Sequence, residues 1–284
     1  MVDQRHWHSL LAQELLRTEN CDTIEKAMSQ LINRKLSALK ALNPPVDLRL
    51  IASIMGIDPN FKFIEMQQSA RIVEANGRCQ IHVNQNHAPT RQRFSIAHEI
   101  GHKILAGKKI QGVKSRTGFS QGLEEKEEEY LCDLAASYLL GLQPSLLEPL
   151  LFDRGFSFDT IQFVTDQFKV SFESAVRGLV KYYDGIAAVL YCALVSSPAM
   201  NKSPTIILKR YYSTRSFPVV PRQNHTMPEF LCVNRAIYSK SLIKLNEIYS
   251  FDGQNFHSGL CEAKVMPIYS EDHFEPGIIL VLTQ

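Results

Sequence analysis

The sequence lacks any apolar run long enough to cross a bilayer. The longest, Ile186 to Val195, is ten residues, against the roughly 18 that a spanning helix requires. This excludes a helical membrane protein. Paired cysteines are also missing: Cys21, Cys79, Cys132, Cys192, Cys232 and Cys261 are scattered and form no CxxC. A zinc ribbon and a thioredoxin motif are thereby excluded. The opening MVDQRHWHS is polar and has no signal-peptide core. The expectation is a cytoplasmic protein with reduced, buried thiols. Charge of one sign is lacking too. Lys and Arg number 31 against 29 Asp and Glu, a net charge of +2, so no global field recruits nucleic acid or a membrane surface. There is no internal repeat and no low-complexity segment.

What is present is an ordinary globular composition, 45% hydrophobic and 21% charged over 284 residues. At about 150 residues per domain, that length suggests two domains. Residues 1 to about 43 read as helical, with Thr23 capping a run in which Ile24, Ala27, Met28, Leu31 and Ile32 share a face. Pro44-Pro45 ends it. Asp47 opens a short amphipathic helix that stops at Gly56. Phe61 and Phe63 alternate as in a strand, and segments 70–75 and 78–83 flank Asn76-Gly77, a type I′ hairpin signal. Two longer helices follow, RFSIAHEIGHKIL at 93–105 and one from about Leu123 to Leu142. A helical pair at 157–183 has Ser157 and Ser171 as caps. Strands return at 186–195, 205–212, 261–269 and 277–283, with a helix near 233–245. The change of composition near Tyr183–Ile186 marks a domain boundary.

The chemistry centres on His98-Glu99-Ile100-Gly101-His102. Residues four apart lie on one helix face, one turn from each other, so two imidazoles can address one ion. Glu99, one position round the helix, can reach a water beside that ion instead. This is the HExxH arrangement of two ligands and a general base. With nine histidines in the chain, chance predicts about 0.02 such matches. The surrounding apolar face also makes two idle imidazoles costly.

A catalytic zinc needs a third protein ligand. His82 and His87 lie upstream, on a strand and a loop. Glu129 and Asp133 share a face of the next helix, where it turns apolar. They read as a buried carboxylate pair, with Glu129 as ligand and Asp133 as the acceptor that orients a ligand histidine. Glu124, Glu125, Glu127 and Glu128 read as a solvated acidic first turn. Tyr130, His225 and His257 are residue types that could stabilise an oxyanion, and no motif selects one.

Three segments resemble the ImmA/IrrE family of metallo-endopeptidases: PPVDLRLIASIMGI at 44–57, RQRFSIAHEIGHKIL at 91–105 and EEYLCDLAASYLL at 128–140. Arg93-Phe94-Ser95-Ile96-Ala97 stands where the family has its run before HExxH. Glu129 stands three residues before a Cys-Asp pair, the family position of the glutamate ligand. The resemblance implies an α+β fold: a zincin-like metallopeptidase core at 1–150, a helix-turn-helix-like segment at 151–185 and a GAF-like α/β domain at 186–284. It implies that His98, His102 and Glu129 hold Zn2+ (or Mn2+), with Glu99 as the catalytic general base. It further implies a cytoplasmic protease that cleaves an XRE-type helix-turn-helix repressor and so derepresses DNA-damage or mobile-element genes.

The helix at 171–183 offers only Arg177 and Lys181 as basic groups, which favours packing or repressor docking over direct DNA binding. Lys209, Arg210, Arg215 and Arg222 interleave with Tyr211, Tyr212 and Phe217, as the two faces of a strand do. A GAF-like domain could hold a small-molecule ligand. The competing class is a ligand-sensing regulatory protein that binds DNA or a partner around a structural metal. Such a site has no need of a base at Glu99.

Overall fold

The structure is a computed structural model. It describes residues 7–37, 43–75, 78–106, 119–195, 205–217, 223–224, 226–227, 230–249, 251, 257–270 and 273–284. The chain is mixed α and β, in two compact units: Met1–Leu146 with Val164–Ser174, and Leu147–Phe163 with Ala175–Gln284.

In the first unit, α1 (Leu10–Glu19) and α2 (Ile24–Lys35) are capped by Ser9 and Thr23, whose side chains accept from the Ala12 and Lys26 N–H groups. Asp47 caps α3 (Leu48–Ile54), and Gly56 follows at φ +72°, a conformation that favours glycine. Three strands, β1 (Ile57–Ile64), β2 (Ala70–Ala75) and β3 (Arg78–Asn84), form a sheet in the order β1-β3-β2. β1 runs parallel to β3 and β2 antiparallel to it. The Ala75↔Arg78 register leaves two residues between the hairpin arms. The Asn76-Gly77 turn itself lies outside the described residues.

Two long helices cover this sheet. α4 (Pro89–Ala106) starts four residues earlier than its apolar spacing suggests, with a proline at its first position. α5 (Phe119–Leu139) also starts earlier and stops sooner than expected. Its end is set by Gly141, at φ +93°. There the Leu142 N–H bonds the Ser137 carbonyl and the Gly141 N–H bonds that of Tyr138.

α4 and α5 pack with Ile100, Ile104, Leu131, Ala135 and Leu139 at or near zero exposure. Gly101 is where they come closest. A Cβ there would lie 3.1 Å from the Cys132 carbonyl oxygen and 3.2 Å from the Ala135 Cβ. Gly101→Val is expected to push the helices apart and cost about 1–3 kcal/mol. The thermal melt of the variant checks this, and an unchanged midpoint rules out the close approach.

The helix α6 (Pro144–Arg154) has no counterpart in the sequence reading, because Pro149 lies inside it and reads as a breaker. α7 (Phe158–Phe168) and α8 (Phe172–Tyr182) form the expected pair. Ser157 and Ser171 cap them through the Thr160 and Ser174 N–H groups. The division between the units passes through both helices.

The second unit holds a five-stranded sheet of β4 (Ala187–Val195), β5 (Thr205–Ser213), β6 (Ile243–Tyr249), β7 (His257–Val265) and β10 (Gly277–Thr283). β8 (Ile268–Ser270) and β9 (His273–Glu275) form a separate ribbon. The order is β5-β4-β10-β7-β6, antiparallel throughout. The helix α9 (Leu231–Ser239) packs into the core with Phe217, Phe230, Tyr249 and Cys261. The expected helix at 233–245 is corrected here. It ends at Ser239, Lys240 takes a left-handed φ of +54°, and Ile243 begins β6.

Among the described residues, no helix is long and apolar enough to cross a membrane.

Candidate metal centre

Helical periodicity brings His98 and His102 to the side of α4 that meets α5. Their ring centroids are 4.8 Å apart at 76°, and their Nε2 atoms 3.1 Å apart. Glu129 reaches in from α5. Its Oε2 is 3.2 Å from His98 Nε2, and its Oε1 is 3.7 Å from His102 Nε2. Four-coordinate zinc takes nitrogen and oxygen ligands at about 2.0–2.2 Å, so its ligand atoms stand about 3.3–3.6 Å from one another. The two Nε2 atoms stand 3.1 Å apart, with Glu129 Oε2 at 3.2 Å from one and Glu129 Oε1 at 3.7 Å from the other; this donor triangle of two imidazoles and one carboxylate is close to the spacing such an ion needs.

The opposite ring nitrogens are engaged. His98 Nδ1 lies 2.9 Å from Asp133 Oδ1, and His102 Nδ1 lies 3.2 Å from Cys132 Sγ. A proton on each Nδ1, assigned from these partners, leaves each Nε2 lone pair aimed at the triangle. Asp133 thus stands against one histidine of the pair.

The carboxylates are not buried, contrary to the expectation. The Glu129 and Asp133 side chains are 60% and 57% exposed. They form an open rim, whereas His98 is 17% exposed.

Burial of the His98 ring opposes its charge. The hydrogen bond and charge of Asp133, with Glu129 and Glu99 close by, outweigh that and hold His98 above the ordinary histidine range. Burial pushes Glu99 above the usual carboxylate range. The charge of His98 and a backbone hydrogen bond work against burial, and the charge of Glu129 reinforces it. That hydrogen bond comes from the Ile72 N–H of β2, at 3.1 Å from Glu99 Oε2. Burial first, then the charges of Glu129 and Asp133, push the Cys132 thiol up to about 12.

Cys132 also groups with His98 and His102 as a potential ligand, all three ligand atoms lying within 4.8 Å of one another. The sequence reading treated it only as packing surface. His82 lies elsewhere. It pairs across the strands with Lys62 and Arg71, while its neighbours Ile81 and Val83 point into the core. Arg93 donates to the Val46 carbonyl at 3.0 Å, which ties the first turns of α4 to the segment before α3.

Glu127 corrects the reading of a solvated acidic turn. It accepts from the backbone N–H groups of His8 and Ser9 at 2.9 and 2.6 Å, capping α1. Tyr130 stacks on Trp7, ring centroids 5.7 Å apart. His257 packs on Tyr249 in the second unit, and His225 lies outside the described residues.

The sequence model of the peptidase family described as the IrrE N-terminal-like domain matches residues 55–179. The radiation response metalloprotease IrrE of Deinococcus radiodurans is 34% identical over 101 residues, covering 36% of this chain and 30% of that protein's length. The chain therefore matches under a third of this curated relative. Among solved structures, a Mycobacterium tuberculosis transcriptional regulator aligns over 96% of this chain and 80% of its own, with a TM-score of 0.51 and 11% identity. That likeness concerns the fold alone. The segment 55–179, which carries the His98–His102 pair and Glu129, is similar to the IrrE N-terminal-like peptidase domain, and through that segment the chain resembles the ImmA/IrrE metallopeptidases.

Proposed function

We propose that this chain is a zinc-dependent, site-specific endopeptidase with a zincin-like core. Its substrate is an XRE-type helix-turn-helix transcriptional repressor in the cytoplasm, and its cleavage derepresses DNA-damage or mobile-element genes. The carrying observation is the donor triangle of His98, His102 and Glu129, with Glu99 beside it and both Nδ1 atoms partnered. This donor set suits Zn2+ ahead of Mn2+, because imidazole favours zinc over the harder ion.

When bound, zinc supplies a Lewis acid that acidifies water and polarises a carbonyl. The chain's own residues do the rest. Asp133 and Cys132 hold the two rings in one tautomer and orientation. The Ile72 N–H fixes one oxygen of Glu99 and leaves the other to take a proton from the attacking water and deliver it to the leaving amine. A metal held only for structure would have no use for a carboxylate placed there.

The domain reading is a peptidase core at 1–150, a helix-turn-helix-like segment at 151–185 and a GAF-like domain at 186–284. The GAF-like assignment draws support from the antiparallel β5-β4-β10-β7-β6 order with α9 inserted between β5 and β6. A small-molecule ligand of that domain would set the activating signal. Direct DNA binding is disfavoured by the engagement of the two basic groups of α8. Arg177 lies over the Tyr212 ring at 5.9 Å and Lys181 over Tyr182 at 5.6 Å.

The test is coexpression with each small XRE-type regulator encoded near the gene. One of them should disappear as a full-length band, and chelation of zinc in the purified mixture should stop its loss. Regulators that all stay intact beside zinc-loaded protein overturn the substrate assignment.

A further inference from the structure

Beside the donor triangle, on the Nδ1 side of His102, is a pocket of about 220 Å³ walled by Leu11, Ile72, Leu105, Ala106 and Cys132. We propose that this pocket receives a branched aliphatic side chain next to the scissile bond, so that Leu11 is a specificity-determining residue. The inference rests on the peptidase reading and adds to it the class of residue recognised.

Three observations carry the proposal. The pocket adjoins the chemistry on two sides. His102 and Cys132 both line it, with Cys132 Sγ 3.2 Å from the ring. Ile72 lines it too, and its N–H holds Glu99. On this proposal, the residue whose side chain is seated there lies near the general base.

The lining is mostly apolar. Leu11, Leu105 and Cys132 are 6%, 1% and 1% exposed; Glu128 and Lys103 also line the pocket, and the Lys103 ammonium is directed to Cys79 Sγ at 3.4 Å. An apolar cavity of about 150 Å³ accepts a benzene ring, so a leucine-sized group fits this one.

The Leu11 wall is also fixed in place. Glu127 of α5 caps α1 through His8 and Ser9, and Trp7 stacks on Tyr130. The helix that brings Glu129 to the triangle therefore also holds the wall. α1 lies outside the matched segment 55–179, so the family model does not itself describe this wall.

The probes are amino-acid hydroxamates, which share one metal-binding group and differ only in side chain. Full-length zinc-loaded protein is titrated with the glycine, leucine and arginine derivatives by calorimetry. Leucine hydroxamate is expected to bind at least about tenfold more tightly than glycine hydroxamate, as one or more buried methylenes allow. Leu11→Trp and Ala106→Trp fill the pocket from opposite walls, and Ala106 is exposed, so the second variant does not disturb the core. In each folded variant the leucine advantage should fall to within about twofold while glycine hydroxamate binds as before.

Zinc-dependent glycine hydroxamate binding without a leucine advantage, or tighter binding of arginine hydroxamate, overturns the pocket alone. An advantage that survives both filling variants does the same. Glycine hydroxamate that ignores zinc overturns the peptidase reading, and this proposal with it.

Discussion

Glu99→Gln is expected to lower repressor cleavage by about 10³-fold or more while leaving metal content and melting temperature unchanged. The two halves of this result come from different atoms of one side chain. One Glu99 oxygen accepts the Ile72 N–H, and an amide oxygen does that equally well, so β2 stays docked on α4. The proton-accepting function is lost, because an amide has no usable basicity. A positioned general base is worth roughly 10²–10⁴-fold, and in the proposed mechanism the same group also returns the proton to the leaving amine. Burial favours the uncharged side chain, so the variant should lose no stability. Glu99→Ala removes both functions and should loosen β2 as well. Zinc content by elemental analysis, a thermal melt and single-turnover cleavage separate the cases. A Glu99→Gln protein that cuts within about tenfold of the parent would falsify the general-base role.

Helical geometry accounts for what was legible in the sequence. His98, Glu99 and His102 can be placed from position alone, since a helix fixes where residues one and four apart must point. Glu129 and Asp133 share a face for the same reason. That this face turns to α4 depends on tertiary packing, and Gly101 lets the two helices close to contact.

The rest depended on groups without a sequence signature. The Ile72 N–H that holds Glu99 is a backbone donor, and any residue there except proline would offer one. Glu127 lies in an acidic run where every member looks solvent-facing, and only the arrival of α1 distinguishes it. Lys240 ends α9 in a left-handed conformation with no glycine to announce it, so the helical reading ran on into the alternating strand Ile243–Tyr249. Pro149 hid α6 because local propensity argues against a helix that tertiary packing nonetheless sustains.

The second large effect concerns the third metal ligand, for which the structure offers both Glu129 and Cys132. Cys132 Sγ stands against His102 Nδ1, whereas the two Nε2 atoms face each other and Glu129 on the other side. One ion cannot sit between the Nε2 atoms and also bind a sulfur behind one of the rings. Glu129→Ala is therefore expected to weaken zinc binding well beyond 100-fold and to abolish cleavage with it. Cys132→Ser leaves all three donors in place and changes only the partner of His102 Nδ1. Loss of such an outer partner costs about 10–100-fold in affinity, and a serine hydroxyl that still accepts a hydrogen bond should hold the loss to about tenfold. Competition against a chromophoric chelator measures both affinities. Cobalt substitution provides the independent check: a sulfur ligand adds an intense thiolate-to-metal charge-transfer band, and the parent protein should lack it. Cobalt-loaded protein that shows this band, and loses it in Cys132→Ser, would make Cys132 the ligand and leave Glu129 on the rim of the site.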